Sequence, residues 1–422
     1  MKIAVIGSGG REHAVAWKLA TSIGWENVFT LPGNGGIPNS HFIDTADFKA
    51  IRDFCIDKGI TLLFVGPEIP LANGIVDYFK TTTKIQIFGP DKQAAQLEGS
   101  KIFAKKFMDK YKVATAPFQA FNSPTEGMKY AMSRNGNLVI KYDGLAGGKG
   151  VYVCSSIQEV ELALTELTEK YGDTFPFLME DKIIGDEISI IGFTDGKTIQ
   201  LLQPSQDHKQ LLDGDEGPNT GGMGAICPVP FCDDILMQKI RETIVNPTLT
   251  GLQKEGFDYK GVIYFGLMIS ETGPKLLEYN VRFGDPETEV LLPSLKSDLK
   301  DLVLACLNGK LANFSLEFNE GYFVDIVQVS AGYPKQYEKG FVINGLNDVD
   351  DETLVFHAGT KKVADQLLSN GGRVLNIVTQ ALTLDKAIEK TYQECQKISF
   401  KGHFYRKDIG QREYKIVGNP RL

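Results

Sequence analysis

NLVIKYDGLAGGKGVYV, residues 137–153, decides how the rest of this chain is read. An apolar run, Leu138 to Ile140, ends on Lys141. Gly144, Gly147, Gly148 and Gly150 follow with Lys149 among them, and Val151-Tyr152-Val153 closes the stretch as a second β-type run. The pattern predicts strand, glycine loop, strand. Glycines let backbone N–H groups converge on one point, and two flanking cations turn such a loop into a seat for a polyphosphate. A phosphate loop of the GxxxxGK[ST] type is excluded, because Gly150 stands where Ser or Thr would and no helix opens there. Taken alone, the segment also reads as an ordinary glycine-rich hairpin. The stretches on either side weigh against that.

Working outward, 422 residues leave room for two to four domains at roughly 100–200 residues each. At 42% hydrophobic and 23% charged residues the composition is that of a globular chain with ample core. A net charge of −8 and no long basic run argue against a nucleic-acid surface, though not against a local pocket for a small anion. MKIAVIGSGG enters a strand at once, so no secretory signal is expected. No apolar run is long enough to span a bilayer. Six scattered cysteines without a CxxC pair predict reduced thiols in a cytoplasmic protein and no zinc cluster.

Before the central stretch, Lys2 to Ile6 reads as a buried strand followed by GSGGREHA and a helical spacing from Glu12 to Leu19. This is a βα turn in which Gly7, Ser8, Gly9 and Gly10 could hold a phosphate at a helix N-terminus. A nicotinamide-binding turn is set aside: the third GxGxxG position is Glu12, and no acid ends the next strand, Val28 to Leu31. Further α/β units follow, with helices at Phe48–Lys58 and Gly74–Lys80 and strands at Thr61–Val65 and Ile85–Phe88. Asn34 in PGNGG and Glu68 in GPEIPL fall in loops at the carboxyl ends of strands, where such sheets bind ligands. Each is equally a turn residue or a helix cap. Short helices are expected at Ala94–Leu97 and Ser100–Tyr111, with Ser100 as N-cap. Pro117 and Pro124 read as a hinge before the glycine loop.

After the central stretch comes a helix, Ser156–Lys170, then FLMED ending near Glu180 and a strand opening at Glu187. Carboxylates there suit a ribose hydroxyl and the intervening backbone an adenine edge; a surface turn is the other reading. Pro204 to Pro228 is too polar and glycine-rich for regular structure and is expected as an ordered substrate loop. It carries Asp207, His208 and Lys209, then Thr220-Gly221-Gly222-Met223-Gly224. His208 reads as a structural hydrogen-bonding residue.

VIYFGLMIS, a tight turn and KLLEYNVRFGDPE form a hairpin over residues 262–287. Alternation puts Glu278, Asn280 and Arg282 on one face and Leu277, Tyr279, Val281 and Phe283 on the other. Glu278 and Asn280 are hard oxygen donors at a spacing suited to Mg²⁺. Arg282 beside them suits a bidentate grip on carboxylate or phosphate. A half-exposed strand with a surface salt bridge is the competing reading. Beyond about Glu320 the chain reads as a smaller β-rich domain with an amphipathic helix over Leu384–Lys397.

GSGGREHA, PGNGG, GPEIPL, QLEGSKIFAK, KYDGLAGGKGV, QDHK, GPNTGGMGA, EYNVRFGDPE, GGRVL and YRKDIG occur in that order. With them the chain resembles, over essentially its whole length, the phosphoribosylamine–glycine ligase (glycinamide ribonucleotide synthetase) family of ATP-grasp enzymes. The resemblance implies an α/β fold in three parts. Residues 1–100 would form a Rossmann-like parallel-sheet domain for the substrate phosphate, and 101–320 an ATP-grasp domain with a mobile glycine-loop lid at about 121–187. Residues 321–422 would form the small β-rich domain.

The reaction it implies joins glycine to 5-phosphoribosylamine at the expense of ATP, through glycyl phosphate, in purine biosynthesis. Lys101, Lys141 and Lys149, with Gly147 and Gly148, would then serve the triphosphate. Glu180 would meet adenine, Glu187 the ribose, and Glu278 and Asn280 the Mg²⁺ or Mn²⁺. Arg282 would orient glycine or its acyl phosphate under the Thr220–Gly224 loop. Gly7 to Gly10 and Asn34 would take the ribose phosphate, with Glu68, Asp207 and Lys209 in the substrate region. A monomer or weak dimer is expected, without nucleic-acid or membrane partners. Gln210 departs from the family's pattern, which has arginine after DHK. Another ATP-grasp carboxylate–amine ligase, a ribonucleotide carboxylase, or a non-catalytic nucleotide-binding module are the alternatives.

Overall fold

The computed structural model describes residues 1–145 and 150–411. Gly147, Gly148 and Lys149 lie outside the described residues. The chain opens as β1 (Ile3–Gly7), α1 (Gly10–Ile23), β2 (Val28–Pro32), α2 (Phe48–Lys58), β3 (Leu62–Val65), α3 (Glu68–Ala72), α4 (Ile75–Thr82) and β4 (Gln86–Pro90). The four strands are continuous apolar runs, and all pair in parallel, as strands covered on both faces do. Two helices, α5 (Gln96–Gly99) and α6 (Lys101–Tyr111), lead onward; the Ser100 hydroxyl caps α6 by accepting from the Phe103 N–H at 3.0 Å.

A separate antiparallel sheet follows: β5 (Phe118–Phe121), β6 (Asn137–Tyr142), β7 (Val151–Ser155) and β8 (Phe177–Asp181), ordered β5-β8-β6-β7. Two helices, α7 (Pro124–Ser133) and α8 (Ile157–Tyr171), close its core of Leu138, Ile140, Val160, Leu167 and Phe177. Pro124 opens a helix at its first position, where a missing N–H costs nothing.

Then come β9 (Asp186–Thr194), β10 (Ile199–Leu201), β11 (Gln206–Asp207), β12 (Gln210–Leu212), β13 (Glu216–Asn219) and β14 (Gly224–Cys227). The polar stretch from Pro204 to Pro228 is thus built of short strands, correcting the expectation of no regular structure. Composition alone could not reveal this: the strands are two to four residues long, and while β11 pairs with β14 and β12 with β13, the second neighbour of β14 is β17 (Tyr322–Ser330), far along the chain. Between them lie α9 (Asp234–Ile240), α10 (Asn246–Glu255), β15 (Tyr259–Ser270), β16 (Gly273–Asn280), α11 (Glu287–Ser294) and α12 (Leu299–Leu307). The last part holds β18 (Leu354–His357), β19 (Thr360–Val363), β20 (Gln366–Ser369), β21 (Arg373–Ala381), α13 (Leu384–Lys397) and β22 (His403–Phe404).

Two sheets cross the sequence divisions. The first runs β10-β9-β15-β4-β3-β1-β2 with β16 added on β15, so the parallel sheet continues into the antiparallel strands that carry Glu187 and Glu278. The second runs β11-β14-β17-β21-β18, joining the Asp207 and Gly224 strands to the C-terminal part. Both sheets bury long side chains on α1 and α11, which pack on each other. None of the described helices is long and apolar enough to cross a membrane. All six cysteines are unpaired.

Candidate active site

β16 carries the candidate metal residues, and a bulge sets their direction. Gly266 of β15 faces Glu278, but Leu267 faces Leu276, so Leu277 is the extra residue. Leu276 is consequently buried with Tyr279, Val281 and Phe283, while Leu277 is only half-buried; strict alternation from Leu277 does not hold. The Leu277 carbonyl turns toward the cleft and accepts from Lys141 Nζ at 3.1 Å.

Lys141 also pairs with Glu180 Oε1 at 2.5 Å, and Lys105 grips the other oxygen of the same carboxylate. All three are nearly excluded from solvent. Burial opposes the Glu180 charge, but Lys141 and Lys105 hold its carboxyl below the usual range. For Lys105 burial dominates, and its ammonium is lowered to about 8 despite Glu180. Lys101 reaches the Gly144 carbonyl at 3.0 Å, at the end of β6. Burial would raise the Glu278 carboxyl, yet Lys209, Lys141, Lys101 and Arg282 together pull it below its ordinary value. Glu278 is thus an ionised carboxylate ringed by cations.

Glu278 and Asn280 offer two oxygen donors to a hard cation. No group of three or more His, Cys, Asp or Glu able to hold a metal occurs among the described residues. Two protein oxygens leave most of an octahedral sphere for phosphate and water, which fits Mg²⁺ better than an all-protein site would. Arg282 is held from four sides: Glu98 at 2.8 Å, Glu68 at 3.3 Å, the Phe283 carbonyl at 3.0 Å and Asn280 Oδ1 at 3.3 Å. Glu98 also accepts from the Val281 N–H at 2.8 Å. Glu187 pairs with Lys209, whose ammonium Glu187 and Asp207 keep charged against the cost of burial.

On the far side of Arg282 lies a cavity of about 300 Å³, lined by Ser8, Gly9, Asn34, Asp285, Thr360 and Arg373 among others. The glycine turn meets it differently from the sequence expectation. Glu12 folds back so that its carboxylate accepts from the Gly9 N–H at 2.7 Å, and Gly7, at φ +126°, has no room for a Cβ against that carboxylate. The turn is therefore capped by its own acid. Asn34 Nδ2 donates to the Ser8 carbonyl at 2.9 Å and the His357 carbonyl at 2.6 Å, tying the turn to β18. The cation in this cavity is Arg373, from the C-terminal part, bound to Asp285 Oδ1 at 2.9 Å and the Gly221 carbonyl at 2.6 Å.

The Thr220–Gly224 loop is fixed rather than loose. Thr220 donates from its N–H and its hydroxyl to the Lys209 carbonyl, at 2.7 and 2.8 Å, and Gly222 N–H returns to the hydroxyl at 3.0 Å. The Met223 side chain is fully buried in the C-terminal core, so only its backbone borders the loop. His208 is buried and accepts at Nε2 from the Gly410 N–H, a structural role as expected. Gln210 offers its carbonyl to Arg406, from the YRKDIG motif.

Lys105, Glu98, Asp285, Thr360 and Arg373 are site residues to which sequence reading gave no role. Four of them stand inside quoted motifs, or beside them, in QLEGSKIFAK, FGDPE and GGRVL. What was missing was the partner, which lies on a different sheet.

A carboxylate and an amide two residues apart on β16, cations converging on the carboxylate and a small four-stranded sheet formed by the neighbouring segment make up the arrangement of an ATP-grasp enzyme. Residues 1–98, 99–288 and 323–412 match, in turn, the N domain, the ATP-grasp (A) domain and the C domain of phosphoribosylglycinamide synthetase. The chain belongs to the phosphoribosylglycinamide synthetase family.

It is 44% identical to a phosphoribosylamine–glycine ligase of Clostridium acetobutylicum, over 97% of this chain and 100% of that one. It is also 44% identical to a trifunctional purine biosynthetic protein of Gallus gallus, of which it spans 43%. The crystal structure of the Thermotoga maritima phosphoribosylamine–glycine ligase superposes with a TM-score of 0.83 at 34% identity, covering 97% of this chain and all of that one. A biotin carboxylase domain of Hydrogenobacter thermophilus shares the fold alone, with a TM-score of 0.71 at 16% identity over 96% of this chain and 91% of that one.

Proposed function

We propose that this chain joins glycine to 5-phosphoribosylamine with ATP, giving glycinamide ribonucleotide, ADP and phosphate. The observation that carries this reading is that one segment, Glu278 to Asp285, borders both halves of the site. At one end it offers an acid and an amide among Lys101, Lys141 and Lys209; at the other, Asp285 lines the cavity beside Arg373. A phosphoryl donor on the first side and a phosphorylated amine on the second would meet near Arg282.

Phosphoryl transfer needs positioning and charge neutralisation more than covalent chemistry. Lys101, Lys105 and Lys141 supply the cations, with Lys149 from the glycine loop. Glu180 pairs with Lys105 and Lys141 and holds both side chains in place, and its following backbone takes adenine; Glu187 takes the ribose. Glu278 and Asn280 would hold Mg²⁺, or Mn²⁺ in its place, which supplies charge neutralisation on the phosphates. Arg282, already clamped by Glu68 and Glu98, orients the glycine carboxylate and then its acyl phosphate. The amine of phosphoribosylamine attacks that acyl carbon, phosphate leaves, and the amide forms. Thr220–Gly224 covers the intermediate, with Asp207 and Lys209 behind it. Shielding a mixed anhydride from water is the main demand, and it is met by closure of the lid at about 121–187.

We assign residues 1–100 to sugar-phosphate binding, 101–320 to ATP, and 321–422 to completing the sugar-phosphate cavity. A cytoplasmic monomer or weak dimer acting on small molecules fits these roles. ADP release is measured with Mg²⁺, ATP and glycine, with and without phosphoribosylamine made in place from ribose 5-phosphate and ammonia. Turnover that requires both co-substrates is expected; ADP release with neither, or with another acid, overturns the substrate assignment.

A further inference from the structure

Behind the sugar-phosphate cavity lies a group of buried acceptors that the reaction above does not use. Both carboxylate oxygens of Glu289, both of Asp325 and the Asn376 side-chain oxygen are sealed from solvent with no hydrogen-bond partner among the described residues. Three elements bring them together. Asp325 on β17 faces Val378 and Asn376 on β21 faces Val327, so the two are diagonal neighbours on one sheet face. Glu289 comes from α11, which packs across that face. A Cβ on Gly10, the first residue of α1, would lie 2.5 Å from Glu289 Oε1 and 2.2 Å from Asn376 Nδ2, so both side chains press on the same turn.

Donors are scarce there. Asp285 precedes α11, and Arg373 on β21 has its Nη1 engaged with Asp285 Oδ1 and the Asp285 and Gly221 carbonyls. Arg11 and Glu12 on α1 pair with each other, and β14 sets Ala225 opposite Asp325 and, two residues on, the Cys227 thiol, which burial pushes upward and which donates to Gln203 and Ser294 rather than to the acids. From α13 the Cys395 thiol, packed with Val324, Ile326 and Ile377, lies within electrostatic reach of Asp325 and is itself pushed upward by burial. Two ionised carboxylates that must share with Asp285 the one guanidinium of Arg373 are costly in such a place, and water alone would leave their repulsion standing. A proton on either acid removes a charge and converts an orphan acceptor into a donor.

We propose that Glu289 and Asp325 form a proton-sharing acid pair that positions the Asp285–Arg373 ion pair for the phosphate of the sugar substrate. Burial and mutual repulsion with Asp285 push both carboxyls well above their usual range, in agreement. Fully ionised, the pair would set three carboxylates around one guanidinium and repel an incoming phosphate. With a proton retained, Arg373 keeps a net attraction for it. Glu289 and Asp325 touch no substrate; they act through Arg373. The proposal rests on the sugar-phosphate reading of the cavity.

The test uses the full chain and ribose 5-phosphate as probe, by calorimetry above about pH 7, where the probe's own phosphate is fully ionised. Wild-type affinity should weaken with rising pH by up to about tenfold per unit, the slope of one proton. Glu289→Gln, a neutral isostere of the protonated acid, should bind with no such slope, whereas Glu289→Ala should bind more weakly at every pH. Infrared difference spectra of wild type against Glu289→Gln and Asp325→Asn should show a protonated carboxylic C=O band in the wild type. A pH slope unchanged in Glu289→Gln, or no such band, overturns the pair. Absence of probe binding at every pH overturns the cavity reading and the proposal with it, independently of whether the band is present.

Discussion

At Lys105 burial outweighs the opposing charge of Glu180. Its ammonium is enclosed with Glu180 and Lys141, and burial brings it down to about 8. Below that value the lysine is charged and adds to the field that would meet a triphosphate; above it, the charge is lost. ATP affinity is therefore expected to be flat below about pH 8 and to weaken above it, and Lys105→Met should remove the inflection, with affinity held near the level that the wild type reaches above it. Nucleotide titration across pH checks this; an inflection that persists in the variant refutes it. For stability the sign is opposite. Between about 8 and the ordinary lysine value the unfolded chain holds the proton and the folded one does not, so this group's contribution to stability rises with pH. Glu278 offers the second residue-scale outcome. Glu278→Gln keeps the shape but removes the carboxylate that four cations surround. A fall in kcat of about 10²–10³ is expected, the size seen when one preorganised electrostatic group is lost. Steady-state rates at saturating Mg²⁺ decide it, and activity near that of wild type would transfer the metal role elsewhere.

At the scale of elements, the glycine turn before α1 shows how a local pattern can be read correctly and assigned incompletely. The sequence supports a strand, a glycine turn and a helix, and all three are present. What it does not disclose is that Glu12 closes the turn from inside. That follows from Gly7 at φ +126° and the absence of space for a side chain there. Gly7→Ala should cost about 1–3 kcal/mol from the left-handed backbone and the displaced Glu12, read as a lowered midpoint in urea unfolding. A neutral result would mean the turn relaxes freely. The hairpin of β15 and β16 carries the same lesson. Period-two alternation placed Glu278 and Asn280 on the cleft face, but a bulge at Leu277 interrupts it and gives Lys141 a carbonyl. Bulges depend on the register of the partner strand, so they leave no mark in a one-strand pattern. Similarly, β11 to β13 are short and polar or glycine-rich, and β14 is placed between β11 and the distant β17, a pairing that no local pattern announces.

Across the whole molecule, the sequence motifs were legible one by one, but their pairings were not. Arg282 meets Glu98 across 184 positions (282 − 98) and Arg373 meets Asp285 across 88 (373 − 285), distances over which no periodicity survives. The sheet that carries Asp207 and Gly224 also carries Arg373, so the C-terminal part is built into the site and is not an appendage. This arrangement makes a claim that separates binding of the two phosphorylated substrates. Arg373 touches the Thr220–Gly224 loop and the Asp285 turn and lines the cavity proposed for the sugar phosphate, and it touches none of Lys101, Lys141 or Glu278. Arg373→Met should therefore raise KM for phosphoribosylamine by about 10–100-fold, the loss of one charged hydrogen-bonding group at roughly 1.5–3 kcal/mol. KM for ATP should stay within about twofold, since the two sites share no cation with it. Arg373→Lys should recover little, because an ammonium cannot hold Asp285, Gly221 and a phosphate in one plane. If KM for ATP rises as far as KM for phosphoribosylamine, the C-terminal part acts by holding the whole fold together, and the cavity beside Ser8 and Asn34 is not a separate sugar-phosphate site.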